Sequence, residues 1–254
     1  MAAQVEVPGD MKSVVRDLVL DSLKEAGALS KGWMVAVLDA AATRVISSVV
    51  SMYDITEERV TLVRFISILA FDRARAPVKK NKKAPNFLLV MWSPPAVVRA
   101  QVESLEKKRQ PFPQMDVVYF LSPRAESVDH VIDDFKKGSY GNVHLLFLTK
   151  TPPECMARLQ ACPALIPRIK TFKELYVDFV SAESAVFHLD MPPAAVYSRL
   201  YNDEGLPAVA KDIASKLLTV CAALHECPIV KCRPNSPMES VASFLVVKYL
   251  PFNS

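Results

Sequence analysis

The chain has 254 residues, 51% hydrophobic and 23% charged, which is the composition of a folded globular protein and excludes a disordered one. Its net charge of +4 is matched by the lysine run KKNKK at residues 79–83, so the basic balance does not point to a nucleic-acid partner. Six glycines against nineteen prolines, with no GxGxxG or GxxxxGK[ST] pattern, exclude the usual glycine-rich phosphate loop.

In chain order, Met11 to Ala26 reads as an amphipathic helix ended by Gly27 and Ser30-Lys31-Gly32, with Val14, Val15, Leu18 and Leu23 at near-helical spacing. Trp33 to Leu38 (WMVAVL) is a buried strand that places Asp39 at its carboxyl end, where open α/β sheets meet their ligands. Ala40 to Val50 follows as a helix and Val60 to Val63 as a short strand. The segment from Arg64 to Gln101 fits neither a period of 2 nor one of 3.6, and reads as an insertion at about 64–101. A helix through Glu103 to Arg109 must stop at Pro111 and Pro113, since proline lacks the backbone donor. Val117 to Leu121 is then a strand buried on both faces, Ser127 to Phe135 an amphipathic helix, and Val143 to Leu148 the next strand.

A helix around Glu154 to Ala161 and the segment Ile166 to Phe172 complete a β/α layered first domain, residues 1–175. Val177 to Leu189 reads as a hairpin and Leu206 to His225 as an amphipathic helix, which opens a second domain over 176–254. The five cysteines, without CxxC spacing, and the lack of a signal-type N-terminus fit a reducing, cytosolic setting. Apolar stretches such as Phe87 to Trp92 fall well short of the ~20 residues of a bilayer crossing, so no membrane span is expected.

Candidate chemistry is sparse. Cys221 and His225 lie one helical turn apart, but Cys227 and Cys232 lack the short chelate spacing of structural zinc sites, so no metal or cofactor is expected. His130, His144 and His188 have no nearby nucleophile pattern, and no GxSxG or metallohydrolase motif occurs. The residues alone leave open an α/β enzyme with Asp39 as an acid or metal ligand, and a fragment that does not fold stably.

WMVAVLDAAATRVIS from Trp33, MYDI at Met52, VTLV at Val60, VESLEKKRQPFPQMDVVYFLSPRAESVDHVIDDF from Val102, VHLLFLT at Val143, IKTFKELYVDFVSAESAVFHLD from Ile169 and CAALHECPIVKCR from Cys221 occur in the order of one family. With them the chain resembles the SM (Sec-one/Munc-eighteen-like) proteins, which bind syntaxin-type SNAREs and control membrane fusion. MYDI and KKRQPFPQMD look most like the exocytic branch.

The resemblance implies a parallel-sheet, three-layer first domain followed by an incomplete second α/β domain. It further implies a non-enzymatic protein, cytoplasmic and recruited through its partner to the plasma membrane or secretory vesicles, with a syntaxin or an assembled SNARE complex as partner. Carried over by motif, Asp39, Arg44, Ser51 and Glu103 fall on the cleft that holds syntaxin; Ser51 stands where relatives often have lysine. Met156, Phe172 and Glu174 fall on the pocket for the syntaxin N-terminal peptide. The residues themselves also fit plainer roles, with Arg44 as a solvated helix residue and Met156 and Phe172 as core. Against the family pattern, VTLVE is interrupted between Val63 and Glu103; joining Leu62 to Val102 restores it, as excision of a retained intron would. The tail from Pro234 to Ser254 departs from the pattern.

Overall fold

The computed structural model describes residues 10–66 and 110–249. The expected helix at Glu103 to Arg109, the candidate Glu103, the KKNKK run and most of the insertion lie outside the described residues. The chain forms two compact units, one of Arg16–Leu175 and one of Tyr176 onward together with the residues up to Val15.

In the larger unit, strands β1 (Met34–Leu38), β2 (Val60–Phe65), β3 (Asp116–Leu121), β4 (Val143–Phe147) and β5 (Ile169–Glu174) form one sheet in the order β2-β1-β3-β4-β5. All four pairings are parallel. Every residue of β1 and β4 is buried, the pattern of strands covered on both faces. Val35, Val37, Val117, Tyr119, Leu121, Val143, Leu145 and Phe147 share one core cluster with Val128, Val131 and Phe135 of α4 (Ala125–Lys136) and Cys155 and Leu159 of α5 (Pro153–Gln160). These strand residues alternate in sequence, so they make up one face of the pleat. Each such apolar side chain removed from water contributes roughly 1.5–3 kcal/mol.

The opposite face carries α1 (Met11–Leu29). Lys173 of β5 bonds to Glu25 of α1 at 2.9 Å, and Thr171 and His144 point to the same side. Val19, Leu23 and Ala26 of α1 are fully buried at helical spacing. The helix runs past Gly27, against expectation. Gly27 is buried within the helix, where an added Cβ would make only ordinary contacts with the Glu58 carbonyl and Met34 at 3.7 Å, and it does not terminate the helix.

Two short helices, α2 (Ala40–Ser47) and α3 (Met52–Glu57), join β1 to β2. Arg64 and Phe65, expected in the insertion, instead complete β2 by pairing with Val37 and Leu38, and Ile66 is buried in the core. Arg64 is 1% exposed, donates to Tyr140 Oη at 2.7 Å and to the Gln110 carbonyl at 2.8 Å, and lies over the Phe112 ring. Excision at Val63 would therefore remove three paired strand residues, Val63, Arg64 and Phe65. Farther along, the segment from Ile166 begins as a 3-10 turn, Ile166–Arg168, where Pro167 could not donate to a ladder, and becomes strand at Ile169.

The smaller unit contains an antiparallel hairpin of β6 (Val180–Glu183) and β7 (Val186–His188), with Phe179 and Phe187 in edge contact at 5.8 Å. The Met11 N–H donates to the Ser184 carbonyl at the hairpin turn. Helices α6 (Pro193–Leu200), α7 (Leu206–Leu224) and α8 (Pro237–Tyr249) follow. Ala210 and Ala214 of α7 meet Val241 and Leu245 of α8, small against large. Lys216 on α7 pairs with Asp178 at 2.6 Å, and Thr219 accepts the Asp178 N–H.

Candidate functional site

Asp39 ends β1 and caps α2. Its Oδ1 accepts the Ala42 N–H at 2.8 Å. Its Oδ2 accepts the Ser122 N–H at 2.7 Å, the Ser122 hydroxyl at 2.9 Å and the Ser127 hydroxyl at 2.9 Å. The residue is 1% exposed. The assignment of Asp39 to a partner-facing cleft is thereby corrected: its carboxylate is enclosed, and it ties the carboxyl ends of β1 and β3 to the first turn of α4. The same enclosure counts against Asp39 as an acid or metal ligand.

Arg44 is half-buried in the last turn of α2, where a cation suits the negative end of the helix dipole. Ser51 is exposed and caps α3. The Asp54 N–H donates to its hydroxyl at 3.2 Å, while Ser51 N–H and Oγ donate to Asp54 Oδ2 at 2.9 and 2.7 Å. Burial pushes the Asp54 carboxyl up, but the hydrogen bonds from Ser51 and the neighbouring Arg16 outweigh it and hold the group below the ordinary value. Ser51 thus has a local duty that a lysine would not perform. Ser51→Ala is expected to lower stability by about 1 kcal/mol in urea unfolding, whereas Ser51→Asn should leave it nearly unchanged.

The second candidate set sits on the α4/α5 side of the sheet at the β5 edge. Phe172 is 38% exposed and packs its ring on Phe147 at a centroid distance of 5.5 Å. Glu174, two residues on and so on the same face, accepts the Thr151 N–H at 2.7 Å and thereby fixes the loop entering α5. Met156 is half-buried in the first turns of α5. Two edge-strand side chains and one helix residue therefore share one side of the sheet, with an aromatic surface left open. Arg158 of α5 holds Asp129 of α4 through both carboxylate oxygens at 2.9 Å, which keeps the two helices in register beside it.

A polar cluster that sequence spacing does not reveal lies at the other ends of the strands. Ser30 Oγ donates to Asp116 Oδ2 at 2.9 Å and sits 3.1 Å from His144 Nε2, while His144 Nδ1 is 2.9 Å from Thr171 Oγ1. With the Ser30 proton given to Asp116, Nε2–H donates to Ser30 and Nδ1 accepts from Thr171. The serine is therefore not activated by the imidazole. His144 is 0% exposed, so the group joins α1 to three strands instead of meeting a substrate.

Desolvation depresses the His144 pKa below its ordinary 6.5; Asp116 opposes this shift and Lys170 reinforces it. The unfolded chain therefore binds more protons than the folded one just below pH 6.5, and stability present above that pH is lost as the pH falls through the depressed value. Urea midpoints measured from pH 7.5 to 5 should fall more steeply for the wild type than for His144→Gln.

Among the described residues no group of three or more His, Cys, Asp or Glu could hold a metal ion. Cys227 and Cys232 are exposed, and His225 closes α7 with φ 53°. No described helix is long and apolar enough to cross a membrane.

Taken together, the strand order, the filled crevice and the open edge face define a three-layer α/β scaffold. The model of the Sec1 family matches residues 35–253. "Protein transport protein sec1" of Dictyostelium discoideum is 29% identical over 238 residues, covering 91% of this chain and 33% of that protein. "SEC1 family transport protein SLY1" of Oryza sativa subsp. japonica is 33% identical over 147 residues, covering 56% of this chain and 24% of that protein. Among solved structures, the Unc18–syntaxin 1 complex of Monosiga brevicollis superimposes with a TM-score of 0.67 at 25% identity, covering 95% of this chain and 36% of that one. The chain belongs to the Sec1 family, the SM proteins. It spans about a third of the length of the Dictyostelium relative. The match also corrects the expectation for the tail, since it continues through α8 to residue 253.

Proposed function

We propose that this chain binds a syntaxin-type SNARE and, as a non-catalytic regulator, controls vesicle docking and fusion in exocytosis. The observation that carries the reading is the likeness, over 95% of the chain, to an Unc18 protein captured with syntaxin 1. The exocytic branch is supported by the MYDI and KKRQPFPQMD signatures. The open Phe172 face suits a short peptide with an apolar anchor, and Arg44 suits an acidic element of the folded partner. The protein is held to be cytoplasmic and brought to the membrane by that partner.

Calorimetric titration with a syntaxin cytosolic region that includes its N-terminal peptide tests the proposal. Saturable binding at micromolar concentration or tighter is the expected result. A correctly folded chain that binds neither the whole region nor the peptide overturns it.

A further inference from the structure

The amino end of β5 gathers cations that no neighbouring carboxylate answers. The guanidinium of Arg168, in the turn just before the strand, donates to the Tyr140 carbonyl at 3.0 Å and lies over the Phe135 ring at 6.0 Å. That places it against the last turn of α4, where Lys136 and Lys137 directly follow Phe135. The β4–β5 register passes from Val143↔Ile169 to His144↔Thr171, so Lys170 is the extra residue of a bulge on an edge strand. All four basic residues are exposed, and none belongs to an ion pair among the described residues.

The carboxylates at this end are engaged elsewhere: Asp134 accepts the Tyr119 hydroxyl at 2.8 Å, and Asp116 accepts from Ser30 and Asn142. In the last turns of α4 the exposed acid is Asp133, one negative charge against four positive. Lysines at a helix carboxyl end suit its dipole, which accounts for Lys136 and Lys137 but not for the cations that the turn and the strand set beside them. The turn also carries an apolar tip. Leu165 is fully buried and anchors it, whereas Ile166 is 45% exposed and Pro167 is exposed.

We propose that the amino end of β5 docks on an anionic bilayer surface, with Ile166 and Pro167 entering the headgroup layer and Lys136, Lys137, Arg168 and Lys170 facing the lipid anions. A soluble anion would answer the charges alone. A bilayer answers both features, since it offers anionic headgroups above an apolar layer. The contact is direct and needs no SNARE, so it adds to recruitment through a partner.

The test is co-sedimentation of the full chain, without any SNARE, with vesicles of phosphatidylcholine and phosphatidylserine, and with vesicles of phosphatidylcholine alone. Binding should require phosphatidylserine and fall as salt rises. Each lysine near such a surface is worth about fivefold in partition, so Lys136→Gln, Lys137→Gln and Lys170→Gln together should weaken binding on the order of 100-fold. Arg168 is left in place because it holds the Tyr140 carbonyl. Ile166→Ser should weaken binding several-fold without changing its salt dependence; should that variant lose the native circular dichroism spectrum, Pro167→Ser tests the same tip. A charge-matched variant at three exposed lysines of other segments, Lys150→Gln, Lys211→Gln and Lys231→Gln, should bind as the wild type does. The inference is overturned if the chain ignores phosphatidylserine, if the first triple variant binds as the wild type, or if the second loses as much as the first. It is equally overturned if polyglutamate is held as tightly as the vesicles and the tip variant changes nothing, which would make the occupant an acidic protein.

Discussion

Asp39→Ala is expected to lower the unfolding free energy by about 4 kcal/mol. Four donors converge on the carboxylate, which is 1% exposed. The two hydroxyls can turn to other acceptors, but the Ala42 and Ser122 N–H groups are fixed by the backbone. Each stranded buried donor costs roughly 1–3 kcal/mol. The loss should appear as a lower urea midpoint with an unchanged slope. Asp39→Asn should fall between, since one oxygen remains but an amide now faces the donors. Because the Asp39 carboxylate is enclosed and faces only the chain's own donors, partner affinity per folded molecule should survive both changes. A variant that keeps its midpoint yet loses binding would return Asp39 to the recognition surface.

Where one chain segment determines its own burial, the sequence was readable. MVAVL and VVYFL are apolar at every position and VHLLFL at every position but His144, and a strand of that kind has to be covered on both faces, as β1, β3 and β4 are; Trp33, read as part of the first of them, lies outside β1 and is exposed. Helix α3 was visible only as a family signature, although Ser51 followed three residues later by Asp54 is a capping pattern. Arg64 and Phe65 were left out of β2 because a charged residue breaks an apolar run, and only the fold brings Tyr140, Gln110 and Phe112 to the guanidinium. The Ser30, Asp116 and His144 cluster was beyond reach for the same reason: its members are 86 and 114 residues apart. The apolar run placed Asp39 correctly at the end of a strand, but motif transfer set it on a cleft, since residue type alone cannot separate a carboxylate that faces a partner from one enclosed by the chain's own donors.

Phe172→Ala is expected to weaken binding of a syntaxin N-terminal peptide on the order of 30-fold, about 2 kcal/mol, the scale of an aromatic anchor at the centre of a small interface. The ring is 38% exposed on an edge strand and packs only partly, on Phe147, so its truncation should cost the fold far less than it costs the complex. Glu174 needs a different substitution. Its carboxylate holds the Thr151 N–H, so alanine there would loosen the entry to α5 and confound recognition with folding. Glu174→Gln keeps an acceptor for Thr151 and removes the charge; it should weaken a basic peptide several-fold, and the remaining affinity should depend less on salt. Arg44→Ala should act on a different part of the partner, lowering the association rate for the folded syntaxin region and leaving the isolated peptide unaffected. If Phe172→Ala is folded and binds the peptide as the wild type does, the β5 edge is not the peptide site. If Arg44→Ala weakens the peptide as much as the whole region, the two candidate surfaces are not separate.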